Sequence, residues 1–119
     1  MTVRSMSRRV IGAATVSLLL VACAAPAASS EPVATNQVDL PPSYKFEPKV
    51  ITVPDGTEVT WTNSDNFTHS VRLLDDGGDV MQIAPGESVS FTFQGVGEHH
   101  YDCSFHSQQM SGVVIVTAN

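Results

Sequence analysis

From Tyr44 to the C-terminus, apolar and polar residues alternate with a period of two and never settle into helical spacing. Val50-Ile51-Thr52-Val53 runs into Pro54-Asp55-Gly56, a turn signal. Glu58-Val59-Thr60-Trp61-Thr62 puts Val59 and Trp61 on one face. His69-Ser70-Val71-Arg72-Leu73 leads into the acidic, glycine-rich stretch DDGGD, and Ala84-Pro85-Gly86 precedes a run in which Val89, Phe91 and Phe93 share a face. Gly95 and Gly97 open a segment that ends at Cys103, and Val113-Val114-Ile115-Val116 closes the pattern. β-Branched and aromatic residues dominate these runs, and no stretch supports a helix of more than a turn or two. About 7–8 short strands at this spacing predict an all-β domain, an antiparallel β-sandwich.

The N-terminal residues break this pattern. Residues 1–22 carry Arg4, Arg8 and Arg9, then an apolar run, then small residues, which is the layout of an export signal; the run is short for a membrane span. Leu20-Val21-Ala22-Cys23 resembles the lipobox of bacterial lipoproteins, in which the cysteine is lipidated and becomes the mature N-terminus; the competing reading is an ordinary signal peptide that contains a cysteine. Ser7-Arg8-Arg9-Val10-Ile11 resembles the start of a twin-arginine signal, so both export routes stay open. Residues 23–43, rich in Ala, Pro and Ser, read as a flexible tether, which leaves residues 44–119 as the single folded domain.

Composition, with 42% hydrophobic and 15% charged residues, is that of a soluble globular protein. Beyond the signal only Lys45, Lys49 and Arg72 oppose twelve acidic residues, a net charge of −9. Such a surface argues against nucleic acid or an anionic bilayer surface as partner and favours a basic docking partner; solubility alone would also account for it. With Cys23 assigned to the lipid, Cys103 is the one remaining thiol, so no intrachain disulfide can form.

That thiol lies in Tyr101–Met110, YDCSFHSQQM, with His106 three residues on and Met110 just before Ser111-Gly112. His69 opens an upstream strand after the polar loop Asn63-Ser64-Asp65-Asn66. Two imidazoles and a thiolate in trigonal array, with a long thioether contact, are the ligand set of a mononuclear blue-copper site. A structural zinc site uses four strong ligands, usually two or more of them cysteines, and one thiol does not supply them. A Cys–His nucleophilic pair would need a base-orienting group and an oxyanion site, and it leaves the Met110 spacing unexplained. A single thiol also rules out a binuclear copper centre with two bridging thiolates, and the chain is too short for a second copper domain; no enzymatic activity is expected. His99 and His100 precede the site, and His99 reads as a core or edge histidine. Met81, Trp61 and Phe93 read as packing, and Phe105 as either loop packing or part of an apolar rim.

The residues from Tyr44 to Asn119 resemble the small blue-copper proteins of the cupredoxin superfamily, the plastocyanin, pseudoazurin and amicyanin group. The resemblance rests on four ordered pieces. They are Val53-Pro54-Asp55-Gly56 with Val59-Thr60-Trp61-Thr62-Asn63; Thr68-His69-Ser70-Val71; Ala84-Pro85-Gly86-Glu87; and Tyr101-x-Cys103-x-x-His106 with Met110-x-Gly112-x-Val114-x-Val116. It implies a Greek-key sandwich and a monomer that holds one copper ion, cycling between Cu(I) and Cu(II), through His69, Cys103, His106 and an axial Met110. The three-residue spacer Ser107-Gln108-Gln109 departs from the two or four residues common in relatives, so Gln109 is the other axial candidate. Many relatives carry Asn after the first histidine; here Ser70 stands there, facing Ser104 in the alignment. The function implied is single-electron transfer between redox partner proteins outside the cytoplasm, with Phe105 near the docking surface and Cys23 anchoring the protein to the outer face of a membrane or in the periplasm. Two alternatives remain: copper storage or delivery by the same residues, and a metal-free interaction domain of the same fold.

Overall fold

The computed structural model describes Gly12 and residues 30–119; the expected signal and the lipidation site Cys23 lie outside the described residues. Among the described residues there is no helix, and nine strands form two sheets. They are β1 Val33–Ala34, β2 Gln37–Leu40, β3 Val50–Pro54, β4 Glu58–Asn63, β5 His69–Leu73, β6 Val80–Ile83, β7 Ser88–Thr92, β8 Gly97–Asp102 and β9 Ser111–Thr117. One sheet has the order β1-β3-β9-β8-β5-β6 and the other β2-β4-β7.

Alternation explains the packing. Ile51 and Val53 of β3, Val59 and Trp61 of β4, and Val114 and Val116 of β9 are buried, with more exposed residues between them. Each buried side chain of this size contributes about 1.5–3 kcal/mol relative to exposure. Edge-on aromatic contacts link Phe46 to Tyr101, Tyr101 to Trp61 and Trp61 to Phe93 through the middle of the sandwich. Gly112 belongs to this packing because a Cβ there would lie 2.3 Å from the Tyr101 ring, where no side chain fits.

The expected all-β sandwich is what the described residues form, with two differences in detail. The sandwich is mixed: β1 with β3, β3 with β9, and β2 with β4 pair in parallel, while the other pairs are antiparallel. Alternation reports which face of a strand is buried and carries no information on its direction. The stretch read as a tether up to Ser43 also contains β1 and β2, and β2 places Val38 and Leu40 in the core beside β4. Val38-Asp39-Leu40 offers only two inward positions, too few for a period to stand out among Ala, Pro and Ser.

The topology makes one end of the sandwich different from the rest. β5 and β8 pair at only two positions, Arg72 with Asp102 and Leu73 with Tyr101. Beyond them the strands no longer pair, and His69 and Ser70 face the segment after Cys103 across that opening.

Candidate metal centre

Cys103 follows the last residue of β8 and is fully buried. Its N–H donates to the Met110 carbonyl (3.0 Å), which closes the loop 103–110 at its base. Inside the loop the His106 N–H reaches the Cys103 carbonyl (3.0 Å), and the Met110 N–H reaches the His106 carbonyl (2.9 Å). These two turns aim the His106 ring back at the sulfur: Nδ1 of His106 lies 3.8 Å from Cys103 Sγ. Nδ1 of His69, at the start of β5, lies 4.0 Å from the same sulfur. The three donor atoms all fall within 4.8 Å of one another. Metal–nitrogen and metal–sulfur bonds of about 2.0–2.3 Å in a trigonal arrangement separate donors by roughly 3.5–4 Å. The spacing therefore fits one ion held by two imidazoles and a thiolate. Met110 is fully buried at the end of the loop and Gln109 is exposed, which leaves the thioether as the better placed of the two axial candidates.

Hydrogen bonds fix the His69 side. Asp65 Oδ2 accepts from His69 Nε2 at 2.8 Å, both residues being buried. A carboxylate only accepts, so this contact favours the tautomer with its proton on Nε2, which leaves the Nδ1 lone pair for a metal. The bond from His69 holds the Asp65 carboxyl below its ordinary value of 3.8 against the opposing effect of burial, and the Asn66 N–H adds to the lowering. Asn63 anchors the loop that carries Asp65: its amide donates to the Phe67 carbonyl (2.8 Å) and the Ile83 carbonyl (2.9 Å) and accepts the Asp65 N–H (2.9 Å).

Two further ties join the halves of the site. Ser70 Oγ accepts the Ser104 N–H at 2.8 Å and lies 2.8 Å from Ser104 Oγ and 3.7 Å from Cys103 Sγ, so a serine pair ties β5 to the loop after Cys103. Arg72 and Asp102 form a two-pronged ion pair (2.8 and 2.7 Å) one position from Cys103. The Asp102 hydrogen bonds raise the guanidinium's pKa further above its usual value.

The outer rim is aromatic. Tyr44 stands 4.6 Å from the His106 ring and 6.0 Å from the His69 ring, and stacks on Phe67 at 6.4 Å. Tyr44, Phe67 and Phe105 are exposed. Ser43 and Tyr44 both have positive φ (108° and 54°), a conformation costing roughly 1–3 kcal/mol per residue, and this kink puts the phenol over both imidazoles. Alternation could not reveal Tyr44, Phe67 or Asp65; the one available sign was an aspartate four residues before a candidate ligand. His99, expected as a core or edge histidine, is half-buried against Phe93 at 5.3 Å and sits outside the donor cluster.

Comparison with known proteins agrees with this geometry. The family model of the cupredoxin-like domain matches residues 12–116. A chloroplastic plastocyanin of Tetradesmus obliquus is 36% identical over 83 residues, covering 60% of this chain and 57% of the relative, so the chain spans little more than half of that protein. A purple cupredoxin from Nitrosopumilus maritimus superposes with a TM-score of 0.58 at 29% identity, over 68% of this chain and 98% of that one. An amicyanin variant in its reduced state superposes with a TM-score of 0.61 at 27% identity, over 76% and 95%.

Proposed function

Since the chain belongs to the cupredoxin-like domain family, we propose that it is a single-electron carrier, not an enzyme, and that His69, Cys103, His106 and Met110 would hold one copper ion. The observation that carries this reading is the convergence of two imidazole nitrogens on one buried thiol at 3.8 and 4.0 Å, with a buried methionine closing the same loop. Bound there, copper would supply a one-electron couple between its two oxidation states.

The protein's own contribution is to keep the donors still. Strand pairing, the Asn63 frame, the Ser70–Ser104 tie and the Arg72–Asp102 pair hold both halves of the site in one arrangement, so the donors need not rearrange when the charge at the centre changes. His106 is the donor nearest solvent, and the exposed Tyr44, Phe67 and Phe105 around it offer an apolar contact for a partner redox protein. The acidic chain favours a partner with a basic surface and a brief encounter. Attachment through a lipidated Cys23, outside the cytoplasm, would keep such encounters at a membrane face. Burial of His69, Cys103 and Met110 supports a carrier over a protein that hands its copper on, because ligand exchange requires access to the donors.

Copper-loaded protein is expected to show intense thiolate-to-copper absorption and a reversible one-electron wave in voltammetry. Cys103→Ser should abolish the band, whereas His99→Ala should keep it. Folded wild-type protein that takes up copper without the band would refute the reading.

A further inference from the structure

His69 and His106 present the same atom to the cluster, yet only His69 has its far nitrogen on a carboxylate. Among the described residues no acceptor meets the outer nitrogen of His106, whose ring contacts Tyr44 instead. Asp65 is held at both carboxylate oxygens and at its N–H: Oδ2 by the His69 Nε2–H at 2.8 Å, Oδ1 by the Asn66 N–H at 2.7 Å, and its own N–H by the Asn63 side-chain oxygen at 2.9 Å. It cannot swing away, and no water-filled space separates it from the ring.

Charge is the consequence that matters. A neutral acceptor at this place would fix the ring's proton equally well. A carboxylate does that and also adds a second buried anion beside the Cys103 thiolate. Two negative charges match a doubly charged ion and leave a singly charged ion over-compensated. A carboxylate on the far nitrogen also makes the ring a stronger donor, again favouring the more demanding, higher-charged ion.

We propose that Asp65 is a positioning residue that acts through His69 to bias the centre towards Cu(II), so that this protein works at a lower potential than it would with a neutral partner on that ring. The proposal rests on the copper reading above and adds a residue that touches no metal.

Asp65→Asn keeps the shape and an accepting oxygen while removing the charge. It is expected to weaken Cu(II) binding relative to Cu(I) by about 10–100-fold, the range seen when such outer partners of a ligand are changed. At 59 mV per tenfold for one electron, that is a rise in potential of roughly 60–120 mV. Asp65→Glu keeps the charge and should stay closer to wild type; a potential raised equally by both variants, or unchanged in a folded Asp65→Asn protein, overturns the proposal. Lower melting temperatures with an unmoved potential would mean a purely structural role and would also overturn it. Nitrogen NMR of the copper-free wild-type protein supplies a test that needs neither metal nor variant. The His69 proton is expected on Nε2, and finding it on Nδ1 overturns the inference. Because that measurement does not involve copper, it separates failure of this proposal from failure of the copper reading.

Discussion

Three histidines of this chain sit on aspartates, and the two most buried of these pairs do opposite things. At the site end, His69 and Asp65 leave 0% and 6% of their side chains exposed. At the other end of the large sheet, His99 and Asp76 leave 12% and 15%, in a pair that clips the DDGGD turn to β8. Burial is similar, so burial does not explain the difference. The count of acceptors does. His69 meets one acceptor, on Nε2, and turns its Nδ1 to a sulfur, so a neutral ring with one fixed proton satisfies it. His99 meets two: Asp76 on Nδ1 at 2.9 Å and the Gly95 carbonyl on Nε2 at 2.7 Å. Neither acceptor can donate, so the ring satisfies both only when both of its nitrogens carry protons, and the charged form is favoured: the pKa of His99 lies above its usual value. One aspartate prepares a ligand; the other neutralises a charge. His100 and Asp75, at 49% and 46% exposure, form a third pair that stands open to solvent.

The comparison breaks most visibly at Asn63, which holds the site-end pair in place. Asn63→Ala would leave the Phe67 carbonyl and the Asp65 N–H without these partners in a buried loop and take one donor from the Ile83 carbonyl. At about 1–3 kcal/mol for a buried polar group left unsatisfied, with partial relaxation, the expected loss is about 3 kcal/mol, measurable in urea denaturation. A loss no larger than that of a surface substitution would mean that the loop is held by something other than this amide.

How much of this could be read beforehand follows the same division between local and distant determinants. Apart from β6, whose four residues were not read as a strand, the strands from Val50 to Thr117 were legible because each alternates over several residues, and His69, Cys103 and His106 were legible because their chemistry and order are distinctive. β2 was not, because two inward residues make no period, and the parallel pairing of β3 with β9 was not, because strand direction depends on the connections. Asp65 becomes a partner of His69 only because Asn63 folds the intervening loop, and Tyr44 reaches the imidazoles only through two residues of positive φ. Of the two acceptors of His99, Asp76 lies 23 residues away in sequence and Gly95 only four. What stayed hidden was contact chemistry between segments, which no local pattern encodes.

At the far end the expected effects are smaller. Asp76→Ala removes one acceptor from a ring that lies outside the donor cluster. For an ion pair with partial exposure, the loss should be about 1 kcal/mol or less in denaturant melts. The thiolate-to-copper band should not move, since His99 is four residues from Cys103 in β8 and shares no hydrogen bond with the donors. A shifted band would mean that the two ends of the sheet are mechanically coupled and the division drawn above is too sharp.

The smallest effect concerns pH and is the most specific. Burial of the His99 ring opposes its charge, but the Gly95 carbonyl and the Asp76 carboxylate outweigh it and raise the pKa above the usual 6.5. A group whose pKa is raised by folding contributes stability in full below its unfolded value, and loses it as pH climbs through the folded value. The clip should therefore be complete at about pH 6 and weaken above that, where a deprotonated nitrogen would face an acceptor oxygen. Asp75 behaves in the opposite sense. The His100 backbone N–H and ring lower its pKa below 3.8, so its contribution is present above that value and fades as pH falls through the folded one. Denaturant midpoints of copper-loaded wild type and Asp76→Asn, compared between pH 6 and 8, isolate the first term. The wild type should lose stability relative to the variant as pH rises. A difference that stays constant would show that His99 is neutral in the folded protein, and the two pairs would then belong to one kind.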